Sequence, residues 1–264
     1  MRADKAAAAA VAFFSFCLAS SAIYILNDIA DRHQDRLHPL KRRRPIAAGR
    51  LSVFIGSVAA VILMALSIGL AGALNVWTVS LTGLFLLSSL SYTVVFKKII
   101  LLDVMVLALG FVIRAIAGAA AIHVPVSPWL IACTFFLAVF LTFCKRFYEF
   151  SDLGPKASQH RQVLAVYTRR SLALAIWTSA FLTLAAYSAY TVFPVFAPRT
   201  FHTSRLPLTI PFVILGLLRY GWMMKKMKKT GTPTEALLTD WRLLGIVAAW
   251  LISLFVLVIG ETSF

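Results

Sequence analysis

The sequence predicts an all-α fold, a polytopic transmembrane helical bundle of about eight spans. Three observations predict it. Of 264 residues, 60% are apolar and only 14% charged, where a soluble domain is about a quarter charged. The apolar residues fall in long blocks, and about 18 or more in a row is the length that crosses a bilayer as a helix. The short alternating strands of a transmembrane barrel are not the pattern seen.

The spans are expected near residues 6–26, 51–73, 76–95, 101–122, 127–148, 168–193, 206–224 and 243–261. Short connections make neighbouring helices antiparallel. The first block follows Arg2 and Lys5 and contains Leu-Ala-Ser-Ser-Ala, a pattern shared with secretory signal peptides. Cleavage there would leave the acidic segment after it without an apolar anchor, so a span is the reading adopted. Gly49 suits a turn into the second block. The fourth begins at Asp103, just after Lys97 and Lys98, and carries Arg114. The fifth ends in Cys-Lys-Arg-Phe-Tyr-Glu-Phe.

The net charge of +16 points to nucleic acid only if its distribution is ignored. Loops 27–50, 96–100, 145–170 and 219–242 hold 21 of the 26 Lys and Arg residues, and all four fall on one side of the membrane. The opposite side holds Arg2, Lys5, Arg199 and Arg205. The positive-inside rule places the basic side in the cytoplasm and accounts for the excess without nucleic acid. Cys17, Cys133 and Cys144 show neither metal-ligand spacing nor a disulfide framework.

The densest polar stretch is NDIADRHQDRLHPLKRRRPIAAG, residues 27–49. Asp28, Asp31 and Asp35 are spaced i, i+3 and i+7, with Asn27 ahead of them. On a continuing helix these carboxylates share a face and repel one another. A divalent cation removes the repulsion. Mg²⁺ takes hard oxygens, typically one or two carboxylates plus substrate phosphate oxygens. A Mg²⁺–diphosphate site at a membrane helix end is one reading, and a solvated, charge-paired helix end is the other. Pro39 and Pro45 prevent a regular helix through the following segment. The cations from Lys41 to Arg44 serve either topology or phosphate binding, where Arg offers a bidentate fork.

Other candidates lie further on. Arg114 sits eleven residues after Asp103, about three helical turns, and so shares roughly its face. A charge inside a span marks a functional candidate, or else an Arg paired with a carboxylate in the bundle interior. Lys145, Arg146 and Glu149 close the fifth span at helical spacing. Lys145 and Glu149 are i, i+4 partners, forming a surface pair or part of a ring of cations around the same pocket. Acids that hold Mg²⁺ and bases that hold phosphate suit displacement at a carbon bearing diphosphate.

These residues carry a resemblance. NDIADRHQD resembles the first aspartate-rich motif of the intramembrane prenyltransferase (UbiA) superfamily, multi-span helical proteins that use Mg²⁺-bound diphosphates. The longer string, with KKIILLDVMVLALGFVIRAIAGAAA, CKRFYEF and LLTDW, is similar to the decaprenyl-phosphate phosphoribosyltransferase branch over nearly the whole chain. That resemblance implies one transferase domain over 1–264. It implies a reaction in which a polyprenyl phosphate attacks the anomeric carbon of 5-phospho-α-D-ribose 1-diphosphate and diphosphate leaves, on the way to lipid-linked arabinose for the cell wall. Asn27, Asp28, Asp31 and Asp35 would hold Mg²⁺ and the donor, and Asp103 the ribose or the metal. Lys97, Arg114, Lys145 and Arg146 would bind phosphates, with Lys41 and Arg44 beside them. The setting implied is the bacterial plasma membrane, with the site facing the cytoplasm.

Two departures stand out. Aromatic prenyltransferases of the superfamily repeat aspartates in a second motif, whereas the helix matched to it here has Asp103 alone, with Arg114 beyond. Superfamily members usually have nine spans and the aspartate motif closes the second, but here it closes the first, so a nine-helix bundle lacking its first helix is expected. The alternatives are a prenyltransferase moving a prenyl group to a small aromatic acceptor, and a transporter without chemistry. A transporter would favour inverted repeats, and none is evident.

Overall fold

The computed structural model describes residues 2–37, 41–153, 162–193, 205–226 and 238–262. Its long elements are eight helices: α1 Arg2–Leu37, α2 Val53–Gly72, α3 Val76–Val94, α4 Leu102–Ala121, α5 Pro128–Leu153, α6 Arg169–Val192, α7 Ile210–Lys226 and α8 Trp241–Thr262. Short 3-10 turns join some of them, and no strand occurs among the described residues. The first seven are long and apolar enough to cross a membrane; α8 contributes a shorter apolar stretch, Trp241–Leu257. The all-α expectation holds, with helix ends within a few residues of the expected ones save at α1 and α5, which run past their apolar blocks.

The extension of α1 positions the site. Between Arg2 and Leu37 there is no glycine or proline, so nothing in the backbone stops the helix when its apolar stretch ends at Leu26. Thirty-six residues make a rod of roughly 54 Å, against a hydrocarbon layer of about 30 Å. The acidic segment, counted above as part of a loop, is the helical end of this rod.

The helices gather into two compact units, α1–α4 in the first and α5–α8 in the second. In the first unit, Phe16, Ala19 and Ile23 of α1 bury against Phe85 and Leu86 of α3 and Ile113 and Ala117 of α4. Small residues let the backbones approach, as membrane interfaces favour. Ser15 and Ser67, both fully buried, exchange hydrogen bonds between α1 and α2: each hydroxyl donates to the other's backbone carbonyl, at 2.9 and 2.8 Å. Asn75 caps α3 by accepting from the Thr78 amide (2.9 Å), and its own amide donates to the Ala120 carbonyl at the end of α4 (3.1 Å).

In the second unit, Phe140 of α5 packs on Tyr220 of α7, ring centroids 5.8 Å apart. The Trp250 indole donates to the Tyr187 hydroxyl (2.9 Å), which bonds Thr209 (2.7 Å), whose hydroxyl donates to the Leu206 carbonyl (2.6 Å). That chain ties α8, α6 and the turn before α7. The LLTDW string starts α8: Asp240 accepts from the Leu243 amide at 2.7 Å, as an N-cap does.

Candidate active site

The polar centre of the first unit is built from the end of α1, the turn that follows it and the end of α3. Arg44 lies in the turn. Its Nη1 donates to Asp28 Oδ1 at 2.7 Å and to Asp35 Oδ2 at 3.0 Å, so one guanidinium nitrogen bridges carboxylates seven residues apart. Lys97, in the 3-10 turn Phe96–Lys98, pairs with Asp31. Thr93 at the end of α3 donates its hydroxyl to Asn27.

The turn itself is packed. Ile46 and Ala47 are buried. Arg36 Nε donates to the Ala47 carbonyl (3.1 Å) and Arg50 to the Arg43 carbonyl (2.6 Å). Gly49 has φ of +74°, a left-handed conformation that glycine adopts at no steric cost. Gly56, on α2, is the point where three elements meet. A Cβ there would lie 3.3 Å from Ile46, 3.4 Å from Ile29 and 3.5 Å from Ile25.

The three acids are not equivalent. Side-chain exposure is 26% for Asp28, 32% for Asp31 and 6% for Asp35. Among the described residues no three Asp, Glu, His or Cys side chains stand together as a ready metal cage. Arg44 occupies the space between Asp28 and Asp35, and Asp31 turns to Lys97. What remains open is one partly exposed carboxylate on each of two successive turns. That donor set fits a Mg²⁺ ion that completes its shell with diphosphate oxygens.

The other expected site residues are placed as follows. Lys41 is exposed in the turn Lys41–Arg43, and its charge acts on Asp28. Asp103 is fully buried at the first turn of α4, two residues after Leu101, which holds φ of +66°. Arg114 is half-buried. Its Nε donates to the Gly110 carbonyl of its own helix (3.2 Å), and its guanidinium lies over Phe111 (4.5 Å) and Phe85 (5.2 Å). Among the described residues it has no carboxylate partner, and the structural Arg–carboxylate pair does not form among them. Lys145 and Arg146 belong to α5, in the second unit. Lys145 is exposed; Arg146 is buried and donates to Glu149 at 2.7 Å, so Glu149 has an i, i+3 partner besides the i, i+4 neighbour read from sequence. In the fourth basic loop, residues 227–237 lie outside the described residues.

Thr93 and Gly56 escaped the sequence reading. A signal for Thr93 was present: Thr93 and Lys97 are four apart, as are Asn27 and Asp31. Both cross-helix pairs have a separation of 66 residues, the mark of two parallel helices in fixed register.

The comparisons fit this geometry. The model of the UbiA prenyltransferase family matches residues 3–241. A Mycolicibacterium smegmatis protein named decaprenyl-phosphate phosphoribosyltransferase is 35% identical over 67% of this chain and 55% of its own length. The chain thus matches about half of that relative. The Corynebacterium glutamicum protein of the same name is 33% identical over 91% of this chain and 73% of its own. Among solved structures, a UbiA homolog from Archaeoglobus fulgidus bound to GPP and Mg²⁺ superposes with a TM-score of 0.74, at 18% identity over 95% of this chain and 87% of that one. The apo UbiA homolog from Aeropyrum pernix K1 gives 0.62, at 19% identity over 93% and 94%. A helical membrane fold, an acid-and-base cluster at the end of α1 and a family match over nearly the whole length agree: the chain belongs to the UbiA prenyltransferase family.

Proposed function

We propose that this protein transfers 5-phosphoribose from 5-phospho-α-D-ribose 1-diphosphate to a polyprenyl phosphate of the decaprenyl type, with Mg²⁺, on the cytoplasmic face of a bacterial plasma membrane. The domain is proposed to be single, over 1–264. One observation carries the reading: partly exposed Asp28 and Asp31 stand on one helix end while Arg44 and Lys97 converge on them from separate elements. The names of the relatives supply the substrate class.

In this reading an oxygen of the lipid phosphate bonds to the anomeric carbon, and the bond from that carbon to diphosphate breaks, its electron pair leaving with diphosphate. The nucleophile is already anionic near neutral pH, so no general base is required. Bound Mg²⁺ would neutralise the departing diphosphate. Asp28 and Asp31 would hold it through their open oxygens, and Asn27 would line the donor. Asp35 would fix Arg44, leaving the remaining guanidinium N–H groups for diphosphate. Lys97 and Lys41 would add positive charge at the same place. Asp103 would serve the ribose. Arg114, Lys145 and Arg146 would bind further phosphates. The product would feed lipid-linked arabinose for the cell wall.

The test places the chain in membranes with Mg²⁺, ribose-labelled phosphoribosyl diphosphate and a polyprenyl phosphate. Label should enter the lipid phase with the wild-type protein and not with Asp28→Ala. Consumption of a prenyl diphosphate with a small aromatic acceptor, and no ribose transfer, would overturn the proposal in favour of an aromatic prenyltransferase.

A further inference from the structure

The second unit contains a cavity of about 540 Å³ among α6, α7 and α8. Leu215, Leu218 and Trp222 of α7, Trp177 of α6 and Ile246 of α8 give it an apolar lining. Those α7 residues lie on the helix face opposite Leu217, Tyr220 and Met224, which are buried, Tyr220 against α5. Leu215, Leu218, Trp222 and Trp177 are 42–50% exposed. An open apolar groove on a membrane helix is filled by hydrocarbon rather than water.

Its charged end is specific. Arg242, in the first turn of α8, and Arg219, in the second half of α7, line the groove, toward the basic side that the positive-inside rule assigns to the cytoplasm. Arg219 is already engaged: it donates through Nε to Asp240 at 3.2 Å and through Nη2 to the other carboxylate oxygen, and it stacks over Trp222 at 4.7 Å. Arg242 lies over Trp241 at 5.3 Å and forms no ion pair among the described residues. Arg219, Asp240 and Arg242 together carry one net positive charge. A phosphodiester carries one negative charge and matches it. A phosphate monoester carries nearly two near neutral pH and would leave one negative charge unmatched beside Asp240.

We infer that this groove binds one bilayer phospholipid with a net-anionic phosphodiester head, its phosphate on Arg242 and an acyl chain along Leu215, Leu218 and Ile246. The site lies wholly within the second unit and is independent of the reaction proposed above. Tryptophans and a cation beside them are common in such a contact.

The test is native mass spectrometry of the full-length protein, equilibrated with equal amounts of phosphatidylglycerol and phosphatidylcholine of matched chains. Wild type should retain one phosphatidylglycerol with about fivefold preference, the ratio that roughly 1 kcal/mol per interfacial Arg supplies. Arg242→Gln should bring the preference to about one, and Arg242→Lys should restore most of it. Leu218→Trp, which narrows the groove, should lose retention of both lipids. Arg50→Gln removes an exposed cation of the first unit and should leave the lipid preference unchanged. Each variant is checked for wild-type elution and melting. The inference falls if wild type shows no preference, if Arg50→Gln loses as much as Arg242→Gln, or if Leu218→Trp retains the lipid. It falls equally if an equal concentration of polyprenyl phosphate displaces the phosphatidylglycerol.

Discussion

Asp28 and Asp35 are two helical turns apart, about 10 Å along the axis, yet their carboxylates reach the same nitrogen of Arg44. A lysine could bridge them with its one nitrogen but would lack the further N–H groups that Arg44 keeps for diphosphate. Arg44→Lys should therefore lower phosphoribosyl transfer by about 100-fold, the scale of a 1 Å misplacement, while the protein still inserts and melts normally. Single-turnover rates in vesicles would read this, and unchanged transfer would remove Arg44 from the site. Thr93→Val deletes the donor to Asn27. Hydrogen bonds inside membrane proteins average about 0.6 kcal/mol, so its melting shift should be small. Its effect should appear in the KM for the donor, which a purely structural role would leave in place. Asp28, Asp31 and Asp35 were legible as candidates because like charges at that spacing have no structural use. Their division into two partly exposed acids and one buried acid was not, since it depends on where Arg44 comes to rest.

At the level of elements, the turn after α1 stands or falls with Gly56. Alanine there needs the Ile46 and Ile29 side-chain tips to yield a few tenths of an ångström. Gly56→Val adds two more carbons, and overpacking of this kind costs about 1–3 kcal/mol. It should lower the melting temperature and loosen the turn carrying Arg44, so that donor affinity falls with stability. Normal donor affinity in a stably folded Gly56→Val protein would break that link. A second expectation concerns α8. The hydrogen bond from Arg219 holds the Asp240 carboxyl below its ordinary value of 3.8. A depressed folded value means that the unfolded chain takes up the proton first. The contribution of Asp240 is thus complete above about pH 4 and is lost as pH falls through the lower, folded value. Melting curves of wild type and Asp240→Asn should differ at pH 6 and converge in acid. Helix positions were legible from apolar blocks. The overrun of α1 was less so, because charge content argued for a loop while the missing helix breakers argued for a helix.

For the whole molecule, the basic loops predict an orientation. A cysteine placed at Arg50 should react with an impermeant reagent only from the cytoplasmic side, and one placed at Ala73, beyond the far end of α2, only from the other. The experiment uses a background lacking the three native cysteines, since Cys17 is exposed. Chelation of Mg²⁺ should abolish transfer and readdition restore it, whereas a transporter of the same fold would form no labelled lipid at all. The bundle and its family were legible from 264 letters because hydropathy and one polar string are local signals. The groove of the second unit was not, because Trp177, Arg219 and Arg242 come from three helices with no common motif.

The overrun of α1 also works as a depth gauge. From Leu26, where its apolar stretch ends, Asp28 and Asp31 lie about 3 and 8 Å further along a rod rising 1.5 Å per residue. The headgroup layer on each side of a bilayer is about 5–8 Å thick. With Leu26 at the hydrocarbon edge, the acids would stand at the altitude of the lipid phosphates themselves. A carrier lipid would arrive with its phosphate already level with the donor and need not be hoisted from the membrane. Tail length would then matter for anchorage alone, and a clipped carrier that still partitions into the bilayer should serve as well as a long one.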